Sequence, residues 1–472
     1  MKRTAFGKLA LTRSLFEPAR LARFSSAILI TIVCSIAALA MPQKSSPDAT
    51  ILAGADAEPG VYAIEGAKIY TLAGAPVETG TVLIRDGKIA AVGANVSVPA
   101  DARVIDAKGL EVYPGFFDPV TQLGLSEISA VRATNDVSEL GEINPELVAM
   151  TAVNPASAHI GVTRASGITE VLVTPGVRGF DSFGDNSVIA GQASVLNLEG
   201  WTNEQMTLRA SAAMVLSWPS VESSTFDFET FTLVERPYSE VKAEYEKKVY
   251  ALSDLLDRAR HYAQAVEKGS TQNFERDLKL EALIPVVEGK LPVLVVAESA
   301  RDIRNSVEFC SKRNLKMILA GATEAWREKD LLKQKNIPVI LGPTMRLPNE
   351  EDYPYDKPMT QPSELAAAGI PIAFASFDTS FSRRLSQQAG NAVAYGLPHD
   401  EALRAVTLNA AKMLGLDDQL GTIEPGKLAN IFVTDGDPLE IRTQVRYLFI
   451  KGRLTSLDNR HWELYEQYRK RP

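Results

Sequence analysis

Eight short runs with the character of buried strands alternate with helical stretches through the middle of this chain. That alternation restricts the fold more than any other feature. The runs are YPGFFDP (113–119), GITEVLVTP (167–175), SVIAGQASVLNL (187–198), AAMVLSWP (212–219), KLPVLVVAES (290–299), LKMILAG (315–321), IPVILGP (337–343) and IPIAFAS (370–376). Helical patterns lie between them, most clearly over 238–268 and 298–314. Continuous apolar strands separated by helices need cover on both faces, which is the condition for parallel sheet. Eight such units across 112–418 fit a closed α/β barrel, (β/α)8 and TIM-like. An open doubly wound sheet is the competing architecture. It wants a glycine-rich phosphate loop after an early strand, and the chain has neither G-x-G-x-x-G nor a P-loop.

Strand signals flank this region on both sides. VYAIEGAKIYTLA (61–73), GTVLIRDGKIAAVG (80–93) and ARVIDAKGLEVYP (102–114) are short alternating runs, with a hairpin signal at Asp86-Gly87. After the helical stretch DEALRAVTLNAAKMLGL (400–416), strand character returns in LGTIEPGKLANIFVTDGDP (420–438) and VRYLFIKGRL (445–454). The spacing predicts a small β-sandwich domain built from both chain ends, residues 59–111 plus 419–456. The barrel of 112–418 is inserted between them, and 457–472 form a C-terminal tail.

Residues 1–45 read differently. Lys2, Arg3, Lys8, Arg13, Arg20 and Arg23, interrupted only by Glu17, precede the apolar run FSSAILITIVCSIAALAM (24–41). Ala38-Leu39-Ala40 supplies the small residues of a signal-peptidase site, so an export signal is expected. An uncleaved membrane anchor is the alternative, since a run of this length just spans a bilayer. Both readings lead us to expect the body outside the cytoplasm, periplasmic or otherwise extracytoplasmic, meeting a membrane only through 24–41 if that run stays uncleaved. Residues 46–58 are a small, polar linker. Residues 1–40, which cleavage would remove, hold six basic residues and one acidic one, so the remainder carries −13 against −8 for the whole chain. That charge argues against nucleic acid or an anionic membrane surface as partner. Only Cys310 remains in the body, which leaves no internal disulfide and no thiolate metal cluster.

The segments DGKIAAVG, VIDAKGLEVYPGFFDP, GITEVLV, DEALRAVTLNAAKMLGL and GTIEPGKLANIFV follow one another along 60–455. This ordered set is similar to the amidohydrolase superfamily, nearest its imidazolonepropionase-like and dihydroorotase-like branches. One motif departs: where the family's G-K-x-A-D ends in Asp, this chain has Asn430. The resemblance implies hydrolysis of a non-peptide C–N bond, in an amide or cyclic amide, by water activated on one or two divalent metals at the barrel mouth. It implies a His-x-His pair from strand 1, one His each from strands 5 and 6, an Asp from strand 8 and often a carbamylated Lys from strand 4. Carried onto this chain, the pair falls on Val120 and Gln122, and the next two histidines on Val296 and Ala320. Strand 8 offers Asp378 or Phe377, and strand 4 ends in Ser217 and Trp218 without a lysine. The four histidines, His159, His261, His399 and His461, all lie away from expected strand ends. A histidine-based metal site of the family type is therefore not expected. Val120, Val296 and Ala320 read as apolar filling of the former metal cavity. No cofactor is expected, a single divalent metal held by carboxylates being the remaining option.

Carboxylates near strand ends are the other source of chemistry. Asp378 and Glu298 form the candidate catalytic pair, and Gln122, Gln192 and Glu324 are candidate ligand-binding residues. Asp118 belongs to the strand-1 motif as a structural element. The Gly-, Asp- and Asn-rich stretch 179–201 suits a loop over the pocket, with Asn186, Ser187 and Gln192 facing it. The stretch 344–364, with Tyr353 and Tyr355, is a candidate pocket wall, and Arg383 and Arg384 stand where an anion can dock. Two functions stay open. One is a degenerate, non-metal homologue that binds a small molecule or a partner, as a homo-oligomer or beside an active paralogue. The other is an active hydrolase rebuilt on Asp378 and Glu298.

Overall fold

The computed structural model describes residues 60–177, 187–221, 224–227, 232–269, 276–348 and 350–471. The leader, the linker and Asn186 lie outside the described residues. Among those described, no helix is long and apolar enough to cross a membrane.

Five strands come first: β1 (Tyr62–Ile69), β2 (Val77–Arg85), β3 (Lys88–Gly93), β4 (Arg103–Asp106) and β5 (Glu111–Pro114). Next are β6 (Phe116–Thr121), β7 (Ile168–Val173), β8 (Ile189–Asn197) and β9 (Thr207–Ser217), followed by a hairpin, β10 (Ser224–Asp227) and β11 (Thr232–Glu235). Then come β12 (Val293–Ala297), β13 (Met317–Gly321), β14 (Val339–Leu341) and β15 (Ile372–Phe374). The series ends with β16 (Ile431–Thr434), β17 (Val445–Ile450) and β18 (Arg453–Leu454).

The two chain ends meet in one hydrogen-bonded sheet of order β18-β17-β16-β5-β1-β2-β3, with β4 also paired to β1. Its β2–β3 hairpin turns at Asp86-Gly87, both with positive φ, as that dipeptide favours. Pairing of β16 with β5 joins residues more than 300 positions apart, with Ile431 opposite Pro114. Tyr62, Ile64, Ile84, Val112, Ile431 and Phe449 form the apolar face of this sheet.

The barrel sheet has the order β15-β14-β13-β12-β9-β8-β7-β6. Gly115 separates β5 from β6, and a Cβ there would stand 1.7 Å from Thr169 Oγ1, so no other residue lets the chain pass so close to β7. The ring closes between first and last strands through the Phe377 N–H on the Val120 carbonyl, at 2.9 Å. One strand departs from the expected all-parallel alternation. β8 runs antiparallel to both β7 and β9. The reason lies in the connection: residues 198–206 hold one turn of helix, Asn203–Met206, and a parallel crossover needs a dozen residues or more. β9 accordingly starts at Thr207, earlier than its apolar run suggests.

Helices cover the outside. The two long ones follow their patterns closely, Tyr238–Glu267 and Ala300–Lys312. The stretch 400–416 is two helices, His399–Ala405 and Leu408–Met413, and the C-terminal tail holds a third, Arg460–Tyr468.

Candidate functional site at the barrel mouth

Side chains alternate between the inside and the outside of a barrel strand. The inward set fills the barrel with Phe117, Leu172, Val215, Leu294, Ile318, Ile340 and Ala373. Val120, Ala320 and Phe377 belong to the same apolar cluster, and half-buried Val296 packs against it. Phe377 has a φ of 56°, in the left-handed region that a bulky residue rarely enters. This turn places the ring among the inward residues and brings Asp378 to the rim.

Asp118 locks the closure from beneath. Fully buried, it accepts from the Ser376 N–H at 3.0 Å, the Ser382 hydroxyl at 2.9 Å and the Val120 N–H at 3.4 Å. Burial pushes its carboxyl up to about 6, against the pull of those three donors. The Asp378 carbonyl accepts from Thr121 at 2.8 Å and Ser376 at 2.9 Å, and the Ser382 hydroxyl stands 3.1 Å from it. The end of strand 1 and the turn after strand 8 thus form one hydroxyl-rich knot.

Above the knot opens a cleft of about 1160 Å³. One wall is the loop after β6, with Ser126, Glu127, Arg132, Asn135, Asp136 and Glu139. The other is Asp378, Thr379 and Ser380, with Gln122 and Val177 between. The Asp378 Oδ1 accepts from the Phe381 N–H at 2.9 Å, and the Gln122 Nε2 donates to the Val177 carbonyl at 2.5 Å. The Thr379 hydroxyl is buried with no hydrogen-bond partner among the described residues.

Residues 367–457 match the model of the amidohydrolase family. The chain is 25% identical to an imidazolonepropionase of Symbiobacterium thermophilum over 78% of its own length and 88% of that protein's. It is 22% identical to Amidohydrolase tasK of Hapsidospora irregularis over 79% of its length, but spans only 39% of that longer protein. Among solved structures, an amidohydrolase from Thermotoga maritima superposes with a TM-score of 0.72 at 24% identity, covering 84% of this chain and all of that one. In this C-terminal match and in its fold, the chain is similar to the amidohydrolase superfamily.

Members of this superfamily usually work with divalent metals, and the donor set here does not fit one. Val120, Val296, Ala320 and Phe377 carry no atom that binds a metal, and the Gln122 amide is turned to a backbone carbonyl. Among the described residues, no three His, Cys, Asp or Glu side chains converge in a metal-holding group. The four histidines all lie in helices. His159 Nε2 is bonded to the Glu127 carbonyl at 3.0 Å, and His399 Nε2 to Asp437 at 2.7 Å.

The remaining sequence candidates scatter. The Glu298 carboxylate is bound by the N–H and hydroxyl of Thr323 and occupies the space a Cβ at Gly321 would need, outside the cleft that Asp378 lines. The expected catalytic pair is therefore not brought to one cleft. Glu324 caps the helix Ala300–Lys312 through the Ala300 N–H at 2.8 Å and accepts from the Tyr353 hydroxyl at 3.1 Å. Gln192 sits within β8, in the barrel wall rather than a covering loop, with its Nε2 on the Pro145 carbonyl at 2.9 Å. Arg383 donates to the Ser380 carbonyl at 2.6 Å. Sequence reasoning missed Asp136, Glu139 and Thr379. The available signal was position: 126–140 follows the first barrel strand, where barrel mouths carry their functional loops.

Proposed function

We propose that this chain is a binding member of the amidohydrolase superfamily, which holds a small molecule at the barrel mouth and does not hydrolyse it on a metal. The observation that carries this reading is the apolar cap: Val120, Ala320 and Phe377 in one buried cluster, with Val296 against it. A first-row metal at that level would meet methyl groups and an aromatic ring where imidazole and carboxylate are needed. The large polar cleft beside the cap supports ligand capture at the same end of the barrel. The second reading, hydrolysis by Asp378 and Glu298, requires both carboxylates within reach of one reacting centre. Glu298 is engaged by Thr323 outside the cleft, which favours the first reading.

Elemental analysis of the purified protein, as isolated and after zinc soaking, tests this. Less than about a tenth of an equivalent of Zn, Mn or Fe is expected in both samples. Near-stoichiometric metal that disappears in Asp378→Ala overturns it.

We further propose that the basic stretch and the apolar run 24–41 direct export, with cleavage after Ala40. The mass of the chain recovered from the periplasmic fraction checks this. A chain beginning at Met41 is expected. An intact chain in the membrane fraction means an anchor instead, and one in the cytoplasm rejects export.

A further inference from the structure

We propose that a groove beneath β13, β14 and β15 binds a single-chain amphiphilic anion of the fatty-acid class, its carboxylate among three lysines and its alkyl chain on two prolines. The groove lies where these strands enter the barrel, at the opposite end from the mouth, so the proposal stands apart from the reading of the cleft.

Charge is the first observation. Lys316, Lys335 and Lys412 rim a groove of about 470 Å³, and no carboxylate is among the described residues that line it. They come from three separate segments: the turn before β13, the turn before β14 and the helix Leu408–Met413. All three are exposed, and none has an ion pair or a side-chain hydrogen bond among the described residues. On a chain of net charge −8 this rim is a local reversal of sign, which attracts an anion. The other polar side chains of the lining, Ser311, Asn336 and Asn409, are uncharged.

The floor is the second observation, independent of charge. Pro338 and Pro371 stand immediately before β14 and β15, with Leu315, Ile337 and Met413 beside them. A proline has no N–H to offer a ligand. The carbonyls are taken as well. That of Pro338 accepts from the Leu319 N–H at 3.0 Å, that of Pro371 from the Val339 N–H at 2.9 Å, and that of Lys316 from the Val293 N–H at 2.7 Å. The Asn409 amide nitrogen donates to the Ile372 carbonyl at 2.9 Å. A small hydrated anion makes no use of such a floor. An alkyl chain takes the proline rings and the lysine stems out of water while its head stays among the ammonium groups. The volume lies within the range of small-ligand sites.

Isothermal titration of the purified protein with decanoate, below its micelle concentration, tests the proposal, with acetate, inorganic phosphate and decyl maltoside as comparison probes. One decanoate per chain is expected, with acetate and phosphate weaker by about tenfold or more. The double charge reversal Lys316→Glu/Lys412→Glu should weaken decanoate about tenfold or more and leave the melting temperature within about 1–2 °C of the wild type, because neither side chain has a partner to lose. Acetylation of the wild type locates the site. Bound decanoate should shield Lys316, Lys335 and Lys412 and leave the exposed Lys88 and Lys247 as reactive as before. No decanoate binding, binding that the double variant leaves unchanged, or shielding spread over all these lysines overturns the proposal. Equal binding of acetate or phosphate overturns it in favour of a plain anion site, and equal binding of decyl maltoside in favour of an apolar groove indifferent to charge.

Discussion

Asp118→Ala is expected to lower the unfolding free energy by about 3–4 kcal/mol, because three donors lose their acceptor inside a dry core. The Val120 N–H belongs to β6, the Ser376 N–H to the backbone just past β15, and the Ser382 hydroxyl to the turn above them. Asp118→Asn should be much milder, about 1 kcal/mol. Its amide oxygen keeps the two backbone donors, and Ser382 can turn its hydroxyl to Thr121, 2.7 Å away, or to the Asp378 carbonyl. The two variants also separate by pH. The folded carboxyl near 6 stands above its ordinary value of 3.8. Its contribution is therefore fully present below 3.8 and lost as pH rises through about 6. Asp118→Asn should flatten that part of the profile. Urea unfolding of both variants at pH 4.5 and 7.5 checks this. Equal losses in the two variants would mean that Asp118 acts by volume alone.

Asn430→Asp is expected to be the most pH-sensitive substitution in the protein. At the opposite end of the barrel, Glu170 on β7 is fully buried, accepting from the Thr169 hydroxyl at 2.5 Å and from the Asn430 amide. The same amide nitrogen donates to Asn197 on β8 at 2.7 Å, and the Lys451 N–H donates to the Asn430 oxygen at 2.6 Å. This cluster ties barrel strands β7 and β8 to the sheet made from the chain ends. Burial pushes the Glu170 carboxyl up to about 7 from 4.5. Its stabilising contribution is therefore complete below 4.5 and lost as pH rises through about 7, a span on the order of 3 kcal/mol. Glu170→Gln keeps an acceptor for Asn430 and removes the ionisation, so it should be more stable than the wild type at pH 8 and close to it at pH 4.5. Asn430→Asp removes the donor and sets two carboxyls face to face. A loss of about 3–5 kcal/mol at pH 8 is expected, with partial recovery at pH 5 where the pair shares a proton. Denaturant unfolding at both pH values measures it. A pH-independent loss would rule out the electrostatic account. The departure at 430 from the family's Asp thus has a physical role: beside Glu170, the amide supplies a donor that a carboxylate lacks.

Much of the architecture was legible because it depends on local pattern. Runs such as VLVVA and MILAG are apolar at every position, and only a strand covered on both faces needs that. The placement of the four histidines in helical stretches was legible from their surroundings in the chain. The direction of β8 was not read, because apolar content says nothing about polarity of a strand; the nine residues of 198–206 before β9 carried that signal. The candidate site divided the same way. Val120, Val296 and Ala320 could be placed at the mouth from motif position. Glu298 and Glu324 stood equally close to strand ends, and only the tight turn at Gly321 and Ala322 directs them into capping and loop bonds.

Sequence alone therefore determined that this is a barrel with a second sheet drawn from both chain ends, because periodicity and order are properties of the chain. Which carboxylates share a cleft was decided only by tertiary structure. A single backbone turn at Phe377, φ 56°, sends an aromatic ring into the core and Asp378 to the rim, where the loop 126–140 brings Asp136 and Glu139 to face it. That turn is held by contacts from β6, some 260 residues away along the chain, and local sequence carries no record of them.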